Sequence, residues 1–358
     1  MDQTEKMLQE LTDAYGVTGH EQDVARIMAR YLSPLCDISY DRLGSIIAKK
    51  KGTHDQPKIM LAGHMDEVGF MVKEITKEGF IRFLPLGGWW PHVLLSQRVC
   101  IRTSKGDVMG VIGSKAPHLL EAEERKKVLE IKDLYIDVGS TAKHNVAEKM
   151  GIRPGDPITP ISPFTVLSNK KAYLAKAWDD RIGCALIIDV IKKLSRVKHP
   201  NVVYGVGTVQ EEVGLRGATT SVSSVDPDVG FVLEVGLAMD TPGVENDRKE
   251  KLGTGPSLYI YDSTMIPNTR LRDLVIEVAE QKKIPYSFAS IARGGTDGGK
   301  IHIHGIGVPT QTIGVPTRYI HAHAGILHRG DYDHTVTLLT EVIRRLDAKT
   351  VKGLAPRP

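Results

Sequence analysis

The chain has 358 residues, 41% of them hydrophobic and 25% charged, with a net charge of +4; this exceeds what one hydrophobic core usually serves, so two domains or one domain with a large insertion are expected. Lysine and arginine are dispersed among the acidic residues and no stretch approaches the roughly 18 apolar residues of a membrane span, which excludes a nucleic-acid or membrane partner from the expectations. Three widely spaced cysteines in apolar surroundings, Cys36, Cys100 and Cys184, fit reduced core thiols and a cytoplasmic protein better than a disulfide framework.

Thr4 is a candidate cap for a first helix whose apolar face is Met7, Leu8, Leu11, Ala14 and Tyr15, ended by Gly16. A second helix is predicted over 21–32, stopped by Pro34. Strands over 46–49 and 58–62 follow, the second running into Gly63-His64-Met65-Asp66-Glu67-Val68-Gly69. From 70 to 163 the texture changes to short β-like pieces at 80–84, 98–103 and 134–138, broken by Gly87-Gly88, Gly106 and Pro154-Gly155. That stretch is predicted to be a β-rich insertion carrying one charged helix over 121–131 and a short one near 146–150. From 164 to 358 helices over 180–194, 268–282 and 332–346 alternate with strands over 202–209, 229–233, 258–261, 286–289 and 310–314. The alternation implies an α/β fold with a mostly parallel sheet and helices on both faces, contributed by residues 1–69 and 164–358.

Polar residues gather where predicted strands end. His64 and Asp66 follow one strand, Glu211 and Glu212 a second, Glu234 a third, and His321 and His323 a fourth, while Asp179 and Asp180 open a helix. The ends of parallel strands share one rim, so these imidazoles and carboxylates are expected to converge. Each alone is ordinary: an Asp pair suits any helix N-terminus. Together they make a site for zinc, cobalt or manganese. So many acids in one cleft would repel one another, and two divalent ions remove that objection. Asp66, two residues after His64, is placed to accept its second N–H. On an extended segment Glu211 and Glu212 would point opposite ways and take two roles. The run Arg293 to Gly299 lacks the residues of a phosphate-binding loop and reads as a tight turn.

The motifs Gly63-His64-Met65-Asp66-Glu67-Val68-Gly69, Gly87-Gly88-Trp89, Trp178-Asp179-Asp180-Arg181, Gln210-Glu211-Glu212-Val213-Gly214, Gly294-Gly295-Thr296-Asp297 and Arg318-Tyr319-Ile320-His321 resemble those of the dinuclear-metal aminopeptidases that form tetrahedral dodecamers. This is the family of glutamyl and deblocking aminopeptidases, some of whose members are labelled endoglucanases. The resemblance spans nearly the whole chain. It implies that the flanks form a catalytic α/β domain and that 70–163 forms a β-barrel dimerisation domain. It further implies one metal held by His64, Asp179 and Glu234, a second held by Asp179, Glu212 and His321, Glu211 as general base, Asp66 as partner of His64, and a cis bond between Asp179 and Asp180. Peptides with a free N-terminus would be the substrates and a homo-oligomer the working state. Glu234 departs from the family's usual Asp, and His323 is a second-choice ligand. An N-acyl amino acid deacylase could use the same constellation. A glycosidase fits less well, because adjacent Glu211 and Glu212 do not flank a scissile bond, and an idle assembly subunit would have no use for a full ligand set. Arg216, Arg248, Lys249 and Arg293 could each select an acidic first residue or merely face solvent.

Overall fold

The computed structural model describes residues 1–141, 144–244 and 249–355. Its largest element is an 11-stranded sheet. At the centre, strands Val202–Thr208, Lys58–His64, Val229–Leu237 and Thr310–Arg318 run parallel in that order. They are rich in β-branched residues and buried along almost their whole length, as strands covered on both faces must be. The flanks are antiparallel: Ile46–Lys50 and Asp37–Tyr40 on one side, and Gly325–His328, Ala172–Ala175 and Thr165–Val166 on the other. A branch from Thr310–Arg318 adds Ser257–Asp262, antiparallel to it, and Ser287–Ile291, parallel to Ser257–Asp262. It is the shared direction of the four central strands that sets one rim.

Helices cover both faces. On one side Gln3–Asp13, Gln22–Leu32, Trp178–Leu194, Thr269–Gln281 and Arg329–Ile343 bury a core that includes Met7, Leu11, Met28, Ile187 and Leu339. Full burial of each such side chain contributes about 1.5–3 kcal/mol. On the other side Arg216–Val225 and Gly298–Ile301 pack over Met60, Ala62, Val206 and Val232. Helix Trp178–Leu194 reaches the sheet so closely because two glycines face each other: a Cβ on Gly63 would lie 2.8 Å from the Gly183 carbonyl carbon, and one on Gly183 would lie 2.4 Å from the Leu233 oxygen.

Several elements differ from expectation for local reasons. Asp2, not Thr4, caps the first helix, in a reciprocal pair with Glu5. The charged helix over 121–131 shrinks to Ala122–Arg125 and a single turn at Ile131–Asp133; with no buried residue in either piece, nothing rewards a longer helix. Strands Val229–Leu237 and Thr310–Arg318 run further than predicted, so Glu234 lies within its strand rather than beyond it.

Within the inserted stretch, Gly69–Ile75, Ile81–Leu86, Tyr135–Asp137, Gly106–Gly113, Arg98–Thr103 and Pro157–Pro160 close a six-stranded barrel. Its interior is a separate cluster built on Phe70, Phe83, Val99, Ile101, Ile136 and Ile158. The cysteines are free thiols. No helix among the described residues is long and apolar enough to cross a membrane.

Candidate active site

His64 is the last residue of its strand and is buried. Its Nδ1 lies 3.0 Å from the main-chain oxygen of Asp66 and 3.4 Å from the Asp66 carboxylate. A carbonyl can only accept, so Nδ1 carries a proton, and Nε2, which faces the cavity, is the nitrogen that would give up its proton to a metal. The expected pairing with Asp66 therefore runs chiefly through its backbone. The Asp66 carboxylate is engaged elsewhere, accepting from Thr18 Oγ1 at 2.8 Å and from the amides of Glu211 and Glu212 at 3.0 and 3.2 Å. Although burial works against its charge, the His64 ring and those amides hold its pKa below the ordinary carboxylate range.

Those amides matter because the strand before them stops at Thr208 and Gln210 is left-handed, with φ 55°. The Glu pair therefore sits on a turn, and strand alternation does not govern it. Both acids open on one cavity. Glu211 Oε2 lies 3.9 Å from His64 Nε2, and Glu212 Oε2 lies 3.4 Å from His321 Nε2. Two directions are realised, by a turn pinned on Asp66.

Asp179 and Asp180 open helix Trp178–Leu194, joined by a cis peptide as the resemblance implies. Asp179 reaches both histidines, with Oδ1 3.0 Å from His64 Nε2 and Oδ2 3.2 Å from His321 Nε2. Asp180 points into the fold and accepts from the amides of His64 at 3.0 Å and Gly183 at 2.9 Å. Glu234 Oε1 lies 3.7 Å from His64 Nε2. Donor atoms of His64, Asp179 and Glu212 all lie within 4.8 Å of one another, and so do those of His64, Asp180 and Glu234. In the second group Asp180 is already committed to two amides, which leaves Asp179 the freer carboxylate.

The electrostatics are those of crowded acids. Burial, then the neighbouring negative charges, pushes Glu211 and Glu234 well above the carboxylate range and Glu212 up to about 8. Asp179 is buried too, yet its bonds to His321 and His64 hold it low. Burial opposes the imidazolium of His321, but Asp179 and Glu212 lift it to about 9. Glu212 Oε1 is buried with no hydrogen-bond partner among the described residues. A buried oxygen with no donor, amid carboxylates and two imidazole Nε2 atoms whose protons a cation can displace, is a donor set suited to a divalent cation.

His323 does not join this set. It is buried against Trp89, with ring centroids 5.3 Å apart, and neither of its nitrogens has a partner among the described residues. The cavity beside the acids measures about 800 Å³. Its lining also includes Arg293 to Thr296, from the run read as a tight turn, and Lys300. Arg293 and Lys300 supply positive charge there, whereas Arg216 bonds the Gln210 side chain, Lys249 is exposed away from the lining, and Arg248 lies outside the described residues.

Two features escaped sequence reasoning. Asp297, in the glycine-rich run, is buried with Oδ2 2.5 Å from Thr208 Oγ1 and Oδ1 unpartnered among the described residues. Burial raises its pKa to about 6. Glu67 is clamped between Lys176 Nζ at 2.7 Å and Arg181 Nη2 at 3.0 Å, all three buried. Each of these charges lies inside or beside a motif already singled out, but nothing in one sequence says that they meet.

The model of a family described as M42 glutamyl aminopeptidase matches residues 44–338. The glutamyl aminopeptidase of Lactococcus lactis is 35% identical over 97% of this chain and 96% of its own length. The lysyl aminopeptidase of Pyrococcus furiosus is 33% identical over 95% of this chain and 97% of its own. The crystal structure of a TET aminopeptidase from a marine-sediment archaeon of the Thaumarchaeota superposes with a TM-score of 0.96 at 46% identity, over 99% of this chain and 100% of that one. With the motifs, the fold and these relatives in agreement, the chain belongs to the M42 family of aminopeptidases.

Proposed function

We propose that this aminopeptidase works with two divalent metal ions, zinc or cobalt before manganese, and with Glu211 as general base. The observation that carries the reading is Asp179, whose two oxygens reach His64 at 3.0 Å and His321 at 3.2 Å, the disposition needed in a bridging ligand. His64 and Glu234 would complete one position, and Glu212 and His321 the other. The longer arm of Glu234 still comes within 3.7 Å of His64 Nε2. When bound, the ions would acidify a water and polarise the scissile carbonyl.

Glu211 has the remaining work. Its carboxylate is buried beside the donor set, 3.9 Å from His64 Nε2, and is not needed as a ligand, which suits a group that takes a proton from water and returns it to the departing amine. Asp66 holds Glu211 in place through the turn amides. Arg293 and Lys300 would receive an acidic first side chain of the substrate.

We propose further that the chain divides into a catalytic domain, 1–69 with 164–358, and a pairing domain, 70–163. Supporting this, the barrel has its own core and leaves Leu84, Met109 and Val111 exposed. A homo-oligomer of the tetrahedral kind and a reducing, cytoplasmic setting complete the proposal. Size-exclusion chromatography tests the former.

The deciding experiment uses aminoacyl and N-acetylated chromogenic substrates with metal-stripped and metal-restored protein. Release from free-amine substrates alone, lost on chelation and restored by cobalt or zinc, is expected. Glu211→Gln should keep both metals and lose hydrolysis by about two orders of magnitude or more. Retained hydrolysis in that variant refutes the base assignment.

A further inference from the structure

The turn Gly87-Gly88-Trp89 leaves barrel strand Ile81–Leu86 and lies against the candidate site from the barrel side. Gly88 O is 2.8 Å from His321 Nδ1. Since a carbonyl offers only lone pairs, Nδ1 carries a proton, which leaves Nε2, 3.2 and 3.4 Å from Asp179 and Glu212, as the nitrogen that would give up its proton to a metal. No other hydrogen bond to Nδ1 occurs among the described residues. His321 needs this support, because its loop is left-handed at Tyr319 and again at His321, with φ of 60° and 53°, and its side chain is 36% exposed.

The glycines fit the same two side chains. A Cβ on Gly88 would stand 3.2 Å from His321 Nδ1 and 3.6 Å from its Cε1, with nothing else within 4 Å. A Cβ on Gly87, where φ is 82°, would stand 3.1 Å from Glu212 Oε2 and 2.6 Å from Val68. One glycine abuts His321 and the other abuts Glu212. Trp89 tethers the turn: its Nε1 donates to Gly69 O at 3.1 Å, and its ring stacks on Phe70 with centroids 4.8 Å apart.

We propose that the Gly87–Gly88 turn is a positioning element through which the barrel sets the tautomer and aim of His321, and thereby the affinity of one metal position and not the other. The inference rests on the two-metal reading above. Removing the partner that orients a metal-bound imidazole typically weakens metal binding 10- to 100-fold.

Gly88→Ala is the test, since Gly88 is exposed and the added methyl meets only the His321 ring. Metal-free protein is titrated with cobalt(II), followed by calorimetry and visible absorption, with circular dichroism and thermal unfolding verifying the fold. Wild type should take up two equivalents. The variant keeps the carbonyl but its methyl displaces the ring, so it should bind the first as wild type does and the second more weakly, by up to about tenfold. Trp89→Phe, which keeps a stacking ring and loses the tether, should shift the second equivalent in the same direction by less. In the His321→Ala background, Gly88→Ala should cost nothing further, which a merely structural role would not produce. Two wild-type affinities in Gly88→Ala, or equal weakening of both, would overturn the inference while leaving the two-metal reading standing. A wild type that binds fewer than two equivalents would overturn that reading and this inference with it.

Discussion

Replacing Lys176 by Met should destabilise the protein more than any surface substitution. Lys176 Nζ donates to Glu67 Oε1 at 2.7 Å and Oε2 at 2.8 Å, and to Ala14 O at 2.9 Å. Arg181 contributes one bond to the same carboxylate, at 3.0 Å, and uses its other donors on the carbonyls of Met65, Leu11, Ala14 and Gly16. Methionine fills the lysine's space but leaves Glu67 Oε2 without a donor where water does not reach. Breaking a buried pair in this way costs about 3–5 kcal/mol. At an unfolding entropy of about 2.1 cal/mol/K per residue over 358 residues, a loss of about 4 kcal/mol lowers Tm by roughly 5 °C. Calorimetry of Lys176→Met, Glu67→Gln and the double variant supplies the full cycle. The double variant should be less destabilised than the sum of the singles by about 2 kcal/mol, because neutralising Glu67 removes the stranded charge. A Lys176→Met protein within about 1 kcal/mol of wild type, or strictly additive losses, would refute the reasoning that buried Glu67 depends on Lys176 as its donor.

Gly183→Ala should push helix Trp178–Leu194 off the sheet, since its Cβ would lie 2.2 Å from Asp180 Oδ2 and 2.4 Å from Leu233 O. A loss of about 3 kcal/mol together with weakened metal uptake is expected by denaturant unfolding and calorimetry, and wild-type values in both would contradict the packing described. Glu21 is raised to about 7, by burial first and by Asp66 next. Its folded pKa lies above the ordinary value of 4.5, so the folded chain binds more protons between these values. Its contribution is complete below about 4.5 and is lost as pH rises through about 7. Glu21→Gln should therefore match wild type near about pH 4 and exceed it by up to about 3 kcal/mol near pH 8; identical pH profiles would refute this. For substrate choice, Arg293→Ala combined with Lys300→Ala should lower kcat/KM for glutamyl substrates about tenfold or more relative to leucyl ones, and an unchanged ratio would remove those residues from recognition.

The convergence of polar residues was legible where residue type and strand end coincide. His64, Glu212 and His321 follow apolar runs whose ends share a rim when the strands are parallel, and Asp179, which opens a helix, meets His64 and His321 there; the ligand roles came from the resemblance alone. What one sequence hid was orientation. The left-handed Gln210 turns the Glu pair off the strand, so their separation depends on Asp66 gathering two amides, a contact across 145 residues. From sequence Asp66 is expected to serve His64 through its carboxylate, and the backbone carbonyl takes that place because the carboxylate is already engaged. The antiparallel flanks are hidden for another reason: pieces as short as Thr165–Val166 and Asp37–Tyr40 carry too few residues for a period to show. Helix Arg216–Val225, full of Ser and Thr, carries a weak propensity signal and is held by packing on the sheet. His323 resembles a ligand by residue type alone, and only the fold shows it turned against Trp89.

If Asp179 joins two metal positions, a crystal structure of the zinc-loaded protein, with anomalous data on both sides of the zinc edge, will show it. Two anomalous peaks per chain are expected, roughly 3.5–4 Å apart, with Asp179 touching both, His64 and Glu234 completing one, and Glu212 and His321 the other. A single peak, or two peaks bridged by Asp180 with Asp179 turned away, would contradict the bridging role of Asp179.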